Sequence, residues 1–137
     1  MWQHISSVEE LGRVRMDAMK VFLSDFPAGR KEGRYIEANL PDLPFKDGAF
    51  DIALCSHFLF LYSEQLSEDF HIQSVKELCR VSSEARIFPL LELGAKKSRY
   101  LVSTKDRLVK DGLTVTIEKV PYEFQNGGNE MMRIKHT

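Results

Sequence analysis

The sequence predicts an α/β domain: a mostly parallel sheet with flanking helices and a C-terminal antiparallel hairpin. Three observations predict it. Phe50–Ser56 and Arg86–Leu93 are almost unbroken apolar runs, as expected of strands buried on both faces of a parallel sheet. Apolar residues at helical spacing follow each run, over about 68–81 and about 98–109. Leu113–Val120 and Met131–Lys135 flank Asn126-Gly127-Gly128, a turn signal that closes a hairpin.

Each element follows from local chemistry. Ser7 with Glu10 three residues on is a capping-box start. Val8, Leu11, Val14, Ala18, Met19 and Phe22 then keep helical spacing, and Phe26-Pro27-Ala28-Gly29 is expected to end that helix. Lys31-Glu32-Gly33-Arg34 reads as a surface connection, and Tyr35–Ala38 as a short strand stopped by Pro41 and Pro44. In the second helix Ile72, Val75, Leu78 and Cys79 share one face. Pro89 marks an irregularity in the second buried strand, and Gly94 ends it. Asp111-Gly112 closes the third helix, and Leu113–Val120 alternates apolar with polar, as a half-exposed strand does. Strands alternating with helices imply right-handed crossovers within one domain of 137 residues.

Composition narrows the function classes. A net charge of −1 gives no global field for nucleic acid or an anionic membrane. Arg13 with Arg15, and Lys96-Lys97 with Arg99, read as solvated faces. No apolar run is long enough to span a bilayer, and Met1-Trp2-Gln3-His4 does not lead into a signal-peptide core, so a cytoplasmic protein is expected. Cys55 and Cys79 lie in apolar or helical surroundings and read as buried thiols. His4, His57, His71 and His136 show no metal-ligand spacing, so no metal site is expected.

The stretch Leu43-Pro44-Phe45-Lys46-Asp47-Gly48-Ala49-Phe50-Asp51-Ile52-Ala53-Leu54-Cys55-Ser56-His57 resembles the "LPF…DG.FD" loop and following strand of class I S-adenosylmethionine-dependent methyltransferases. On that resemblance Phe50–Ser56 stands for the family's fourth strand, and Glu77-Leu78-Cys79-Arg80-Val81 for the "E..RV" helix end before the fifth. The closing hairpin, with Tyr122-Glu123-Phe124 before its turn, resembles the reversed last strand. Ser82-Ser83-Glu84-Ala85 departs from the usual "LKPGG". The resemblance implies a truncated Rossmann-like methyltransferase fold, S-adenosylmethionine as cofactor, and an acceptor it does not name.

Ligands of open α/β sheets lie beyond the carboxyl ends of the strands. Asn39 and Leu40 stand where the family places a Gly-Asp pair whose acid accepts from the adenine amino group; the Asn39 carbonyl can accept in its place. Asn39 before Leu40-Pro41 is equally an ordinary turn residue. Cys55, Ser56 and His57 end one strand, and Ser56 or His57 would face the methionine end or the acceptor; a helix cap or loop filler is the other reading of His57. Glu92, Leu93 and Gly94 end the next strand. Phe58, Phe60 and Tyr62 either clamp adenine or an apolar acceptor, or pack in the core. No catalytic residue is assigned, and Asp47-Gly48 reads as turn chemistry.

None of the eight glycines gives a Gly-x-Gly arrangement after an apolar strand, and the acid that holds the ribose hydroxyls has no counterpart. The chain is expected to begin in the helix after the family's second strand, so the isolated chain is expected to bind the cofactor weakly or not at all. Two functional readings stand: a methyltransferase completed by another chain that supplies the glycine-rich half, or a non-catalytic remnant serving as an interaction or scaffold module. A start site chosen too far downstream would give the same pattern. Phe50–Ser56 would lie beside the family's first strand, so its free edge predicts self-association into a homodimer, binding of a complementing chain, or internal pairing with Tyr35–Ala38.

Overall fold

A computed structural model describes residues 7–137. The expectations for Met1-Trp2-Gln3-His4 lie outside the described residues. The chain divides into two compact units, one up to Ala38 and one from Asn39 to Thr137.

The first unit is built on helix α1, Val8–Lys31. Ser7 Oγ accepts from the Glu10 N–H at 3.0 Å, as its capping position predicts. Glu9 and Glu10 in the first turn and Arg30 and Lys31 in the last complement the helix dipole. The expected stop at Pro27 does not occur, because Pro27 lies inside the helix. Proline removes one helical N–H, and ring packing beside it offsets part of that loss. Phe22 and Phe26 meet Tyr35 edge-on at 5.7 and 5.1 Å. Gly29 makes the approach possible: a Cβ there would lie 2.5 Å from the Tyr35 ring. Gly29 is therefore a contact rather than a helix stop. Arg34 reaches back with a fork of 2.8 and 3.0 Å to Asp25. Tyr35–Ala38 is not a strand, which overturns that assignment.

The second unit is a mixed sheet with two helices packed on it. Its elements are β1 (Phe50–Ser56), α2 (Glu68–Val81), β2 (Ser82–Phe88), β3 (Leu91–Glu92), β4 (Lys96–Lys97), α3 (Leu101–Lys110), β5 (Leu113–Lys119) and β6 (Glu130–His136). The main sheet has the order β1-β2-β6-β5. β1 and β2 are parallel, with Phe50 opposite Ser82 and Ser56 opposite Phe88. β6 is antiparallel to both β2 and β5. The sheet is thus mixed rather than mostly parallel, with one parallel pairing among three. A single crossover helix, α2, makes that pairing, and the β5–β6 hairpin then places its second strand beside β2.

Adjacent, parallel Phe50–Ser56 and second strand were expected, and both features are found, but β1 is not buried on both faces. Phe50, Ile52 and Leu54 are 43%, 41% and 71% exposed. Only Ala53 and Cys55 turn toward the core. An apolar run therefore does not report two-sided burial here: β1 is the terminal strand of the sheet, covered on one face. The second strand is also displaced from Arg86–Leu93. It starts at Ser82, whose Oγ donates to Leu78 O at 2.6 Å as α2 ends, and it stops before Pro89, which has no N–H for the ladder. Leu91–Glu92 pairs instead with Lys96–Lys97. α3 starts at Leu101, later than Ser98, whose hydroxyl bonds Ser63 Oγ at 2.6 Å.

The core lies between the sheet and α2 and α3. Ala85, Ile87, Met132 and Ile134 face Val75, Leu78 and Cys79 of α2 and Leu101 and Leu108 of α3. Truncating one such residue to alanine typically costs ~2–5 kcal/mol. On β2, β6 and β5 the opposite sheet face is polar. Glu84 there meets Arg86 at 2.7 Å, Arg133 at 2.9 Å and Lys135 at 3.4 Å. Its shielding from water works to raise its pKa, and the bonds from Arg86, Arg133 and Lys135 outweigh that and hold it at about 2.

His71 fastens the loop after β1 to α2. It is fully buried. Nδ1 lies 2.8 Å from Ser67 O, and Nε2 accepts from the Phe60 N–H at 2.9 Å, which fixes the neutral Nδ1–H tautomer. Burial lowers its pKa, against the opposing Ser67 bond. The unfolded chain therefore binds a proton that the folded chain refuses. Stability is complete above the ordinary imidazole value of about 6.5 and falls as pH drops below it. Urea unfolding between pH 7.5 and 5 should show this fall. His71→Gln should lose stability at pH 7.5 by ~1–3 kcal/mol, from the stranded Phe60 N–H, and show a shallower acid slope.

Candidate functional site

The carboxyl ends of β1 and β2 form one corner. The His57 N–H donates to Phe88 O at 2.8 Å, which carries the parallel ladder one residue past β1. His57 has φ of 59°, the left-handed region that non-glycine residues seldom occupy. Its Nδ1 is hydrogen-bonded to Ser56 Oγ. Its ring stands edge-on to Phe88 at 5.7 Å and to Phe124 at 4.6 Å. Tyr122 packs on the outer side of Phe88 at 5.8 Å.

The β5–β6 connection delivers Phe124 to this corner. Val120 N–H donates to Asn129 O at 2.8 Å, and Phe124 N–H to Gly128 O at 3.0 Å. A Cβ on Gly128 would lie 3.1 Å from Gln125, so a side chain there would crowd the turn. The Gln125 amide reaches Glu92 O at 3.4 Å. Ser56 and His57 were legible as strand-end candidates, whereas Phe88 and Phe124 were not. The turn signal after Phe124 was visible, but not the corner on which that turn folds.

The other candidates lie elsewhere. Cys55 alternates to the core side, and burial raises its thiol pKa, so it is not an activated nucleophile. Asn39 is exposed, and its carbonyl accepts from the Asp42 N–H at 3.1 Å in a turn. Leu40 packs against the core. The following loop is fastened to α2: the Leu43 N–H donates to Glu77 Oε2 at 2.7 Å, and Arg80 donates to Leu43 O at 3.1 Å. Arg80 also meets Asp47 at 2.7 Å. The Arg80 hydrogen bond, then the Leu43 amide, hold Glu77 below the usual carboxylate range despite partial shielding. The "LPF…DG" loop and the "E..RV" helix end therefore form one structural clamp at the amino end of β1. Among the described residues, no hydrogen bond, ion pair or ring contact joins Asn39 or Leu40 to Ser56 or His57. Glu92 is engaged by Arg99 at 2.6 Å. Phe60 is core, while Phe58 and Tyr62 are partly exposed.

S-adenosylmethionine fits these residues only in part. Ser56, His57 and Asn39 offer polar groups. A cradle for the methionine end needs glycines packed under the ligand. A Cβ added to Gly12, Gly33, Gly48, Gly94 or Gly112 would meet nothing, so none of them lines a closed cradle. No cluster of three or more His, Cys, Asp or Glu among the described residues is placed to hold a metal ion, and no helix among them is long and apolar enough to cross a membrane.

The left-handed backbone at His57 makes a direct prediction. Glycine adopts that region freely, and other residues pay ~1–2 kcal/mol. His57→Gly should therefore be about 1 kcal/mol more stable than His57→Ala in denaturant unfolding. Equal stabilities would mean that residue 57 is not held in this conformation.

Comparison with known proteins places the chain. Residues 13–84, more than half of its 137, match the family described as a methyltransferase domain. An uncharacterized protein of Methanocaldococcus jannaschii is 40% identical over 134 residues, which is 98% of this chain and 58% of that relative. The chain thus spans 58% of the length of the curated relative it matches. No solved structure matches it. The family match runs through the clamp, β1 and its Ser56–His57 end, α2 and the start of β2, and with it the chain belongs to the class I S-adenosylmethionine-dependent methyltransferase family.

Proposed function

We propose that the chain serves S-adenosylmethionine-dependent methyl transfer as the strand-end half of the site, with the cofactor's contacts completed by a second polypeptide. The observation that carries this is the parallel β1–α2–β2 unit with Ser56 and His57 at its carboxyl end, inside the span that matches the methyltransferase family. The order β1-β2-β6-β5 supports it. It is the order expected if β1 and β2 stand for the family's fourth and fifth strands, with the hairpin supplying the reversed last strand. Methyl transfer depends mostly on holding donor and acceptor in line, so half a site places one reactant without joining the two.

The edge of β1 supports the need for a partner. It is a seven-residue strand with exposed Phe50, Ile52 and Leu54, and it lacks the proline, lysine or bulge that usually protects an edge. Either a complementing chain or a second copy would satisfy its outward amides. The same edge also favours a second reading, a non-catalytic interaction module built on a methyltransferase fold.

Calorimetry with purified chain and S-adenosylmethionine tests the proposal. Contacts missing from the methionine and ribose ends cost ~2–5 kcal/mol, which carries an affinity of about 1 μM to roughly 30 μM–5 mM. The expected result is binding in that range, weakened further by Ser56→Ala. Binding at about 1 μM by the chain alone would overturn its incompleteness. No binding at any concentration, alone or with candidate partners, would leave the interaction module.

A further inference from the structure

We infer that the His57–Phe88–Phe124 corner is a binding site for a hydroxylated aromatic molecule, which names the acceptor class of the proposed methyl transfer and rests on that reading. Three independent observations converge on it. The first is backbone conformation. A histidine at φ 59° is disfavoured locally, and residues held this way persist only where the surroundings fix them; such residues gather at ligand sites. Here the fixing contact is the ladder bond from the His57 N–H to Phe88 O.

The second is the ring arrangement. Phe88 and Phe124 hold the imidazole edge-on at 5.7 and 4.6 Å, and Tyr122 extends the aromatic surface beyond Phe88. Phe88 and Phe124 are half-buried and Tyr122 is exposed, so these rings are reachable from solvent at the carboxyl end of the sheet. Flat rings pack on such faces in offset or edge-to-face geometry. The third is the polar group. Nδ1 is engaged by Ser56 Oγ, and no hydrogen bond among the described residues engages Nε2. Ser56 Oγ can donate or accept, so Nε2 is left as the complementary acceptor or donor. A hydroxyl does both and matches either tautomer. A carboxylate or a quaternary ammonium does not.

The probes are 2-naphthol and naphthalene, followed by fluorescence titration of the purified chain. Both should bind saturably, and 2-naphthol about five- to tenfold more tightly, the worth of one hydrogen bond. His57→Gly keeps the backbone conformation and removes the ring; it should bring the two affinities together. Phe124→Leu should weaken both probes and leave their ratio. Circular dichroism of each variant checks that it folds. Failure of either probe to saturate, equal affinities in the unaltered chain, or a ratio that survives His57→Gly would overturn the site. The titration contains no methyl donor, so its failure removes the acceptor class alone, while the calorimetry judges the methyltransferase reading.

Discussion

The parallel ladder between β1 and β2 governs the architecture of the second unit. Parallel strands cannot be joined by a tight turn, so the chain must cross over, and α2 is that crossover. The crossover brings Val75, Leu78 and Cys79 onto Ala85 and Ile87 and so founds the core. Its N-terminal end carries His71, which ties down the loop leaving β1. Its C-terminal end carries Glu77 and Arg80, which tie down the loop entering β1. Both ends of β1 are thus positioned by one helix, and the last rung of the ladder sets the backbone of His57.

The ladder is also one-sided. β1 has β2 on one edge and no strand on the other among the described residues. Its core-facing side chains are only Ala53 and Cys55, while Phe50, Ile52 and Leu54 point to the opposite face. On β2, β6 and β5 that face is charged, organised around Glu84 and its three cations. Apolar exposure is therefore concentrated at the free edge, where a further strand would both bury it and pair its amides. This asymmetry connects the fold to the proposed division of the site between two polypeptides.

Much of this was legible in the sequence. The Ser7 cap, the α2 face of Ile72, Val75, Leu78 and Cys79, and the hairpin around Asn126-Gly127-Gly128 follow from local rules that tertiary packing does not oppose. The misreadings share a physical origin. Pro27 and Gly29 spell a helix end, yet Tyr35 packing carries the helix past them and uses the glycine for contact. Phe50–Ser56 is apolar enough for two-sided burial, but burial depends on neighbours that a strand's own residues do not encode. For the site, Ser56 and His57 were found because strand ends are visible in a pattern. Phe88 and Phe124 were not, because they reach His57 only through the sheet order. Asn39 and Leu40 were singled out by resemblance, and the structure gives them a turn and a core contact.

The terminal position of β1 is the central claim, and amide hydrogen exchange along β1 tests it most directly. The ladder bond from His57 and the alternation of a strand assign the Ala53, Cys55 and His57 amides to β2 and direct those of Ile52, Leu54 and Ser56 outward. At low micromolar concentration, the first set should be protected and the second should exchange close to the rate of an unstructured chain. Equal protection of both sets under those conditions would show a strand already paired on the outer edge, and would contradict the account.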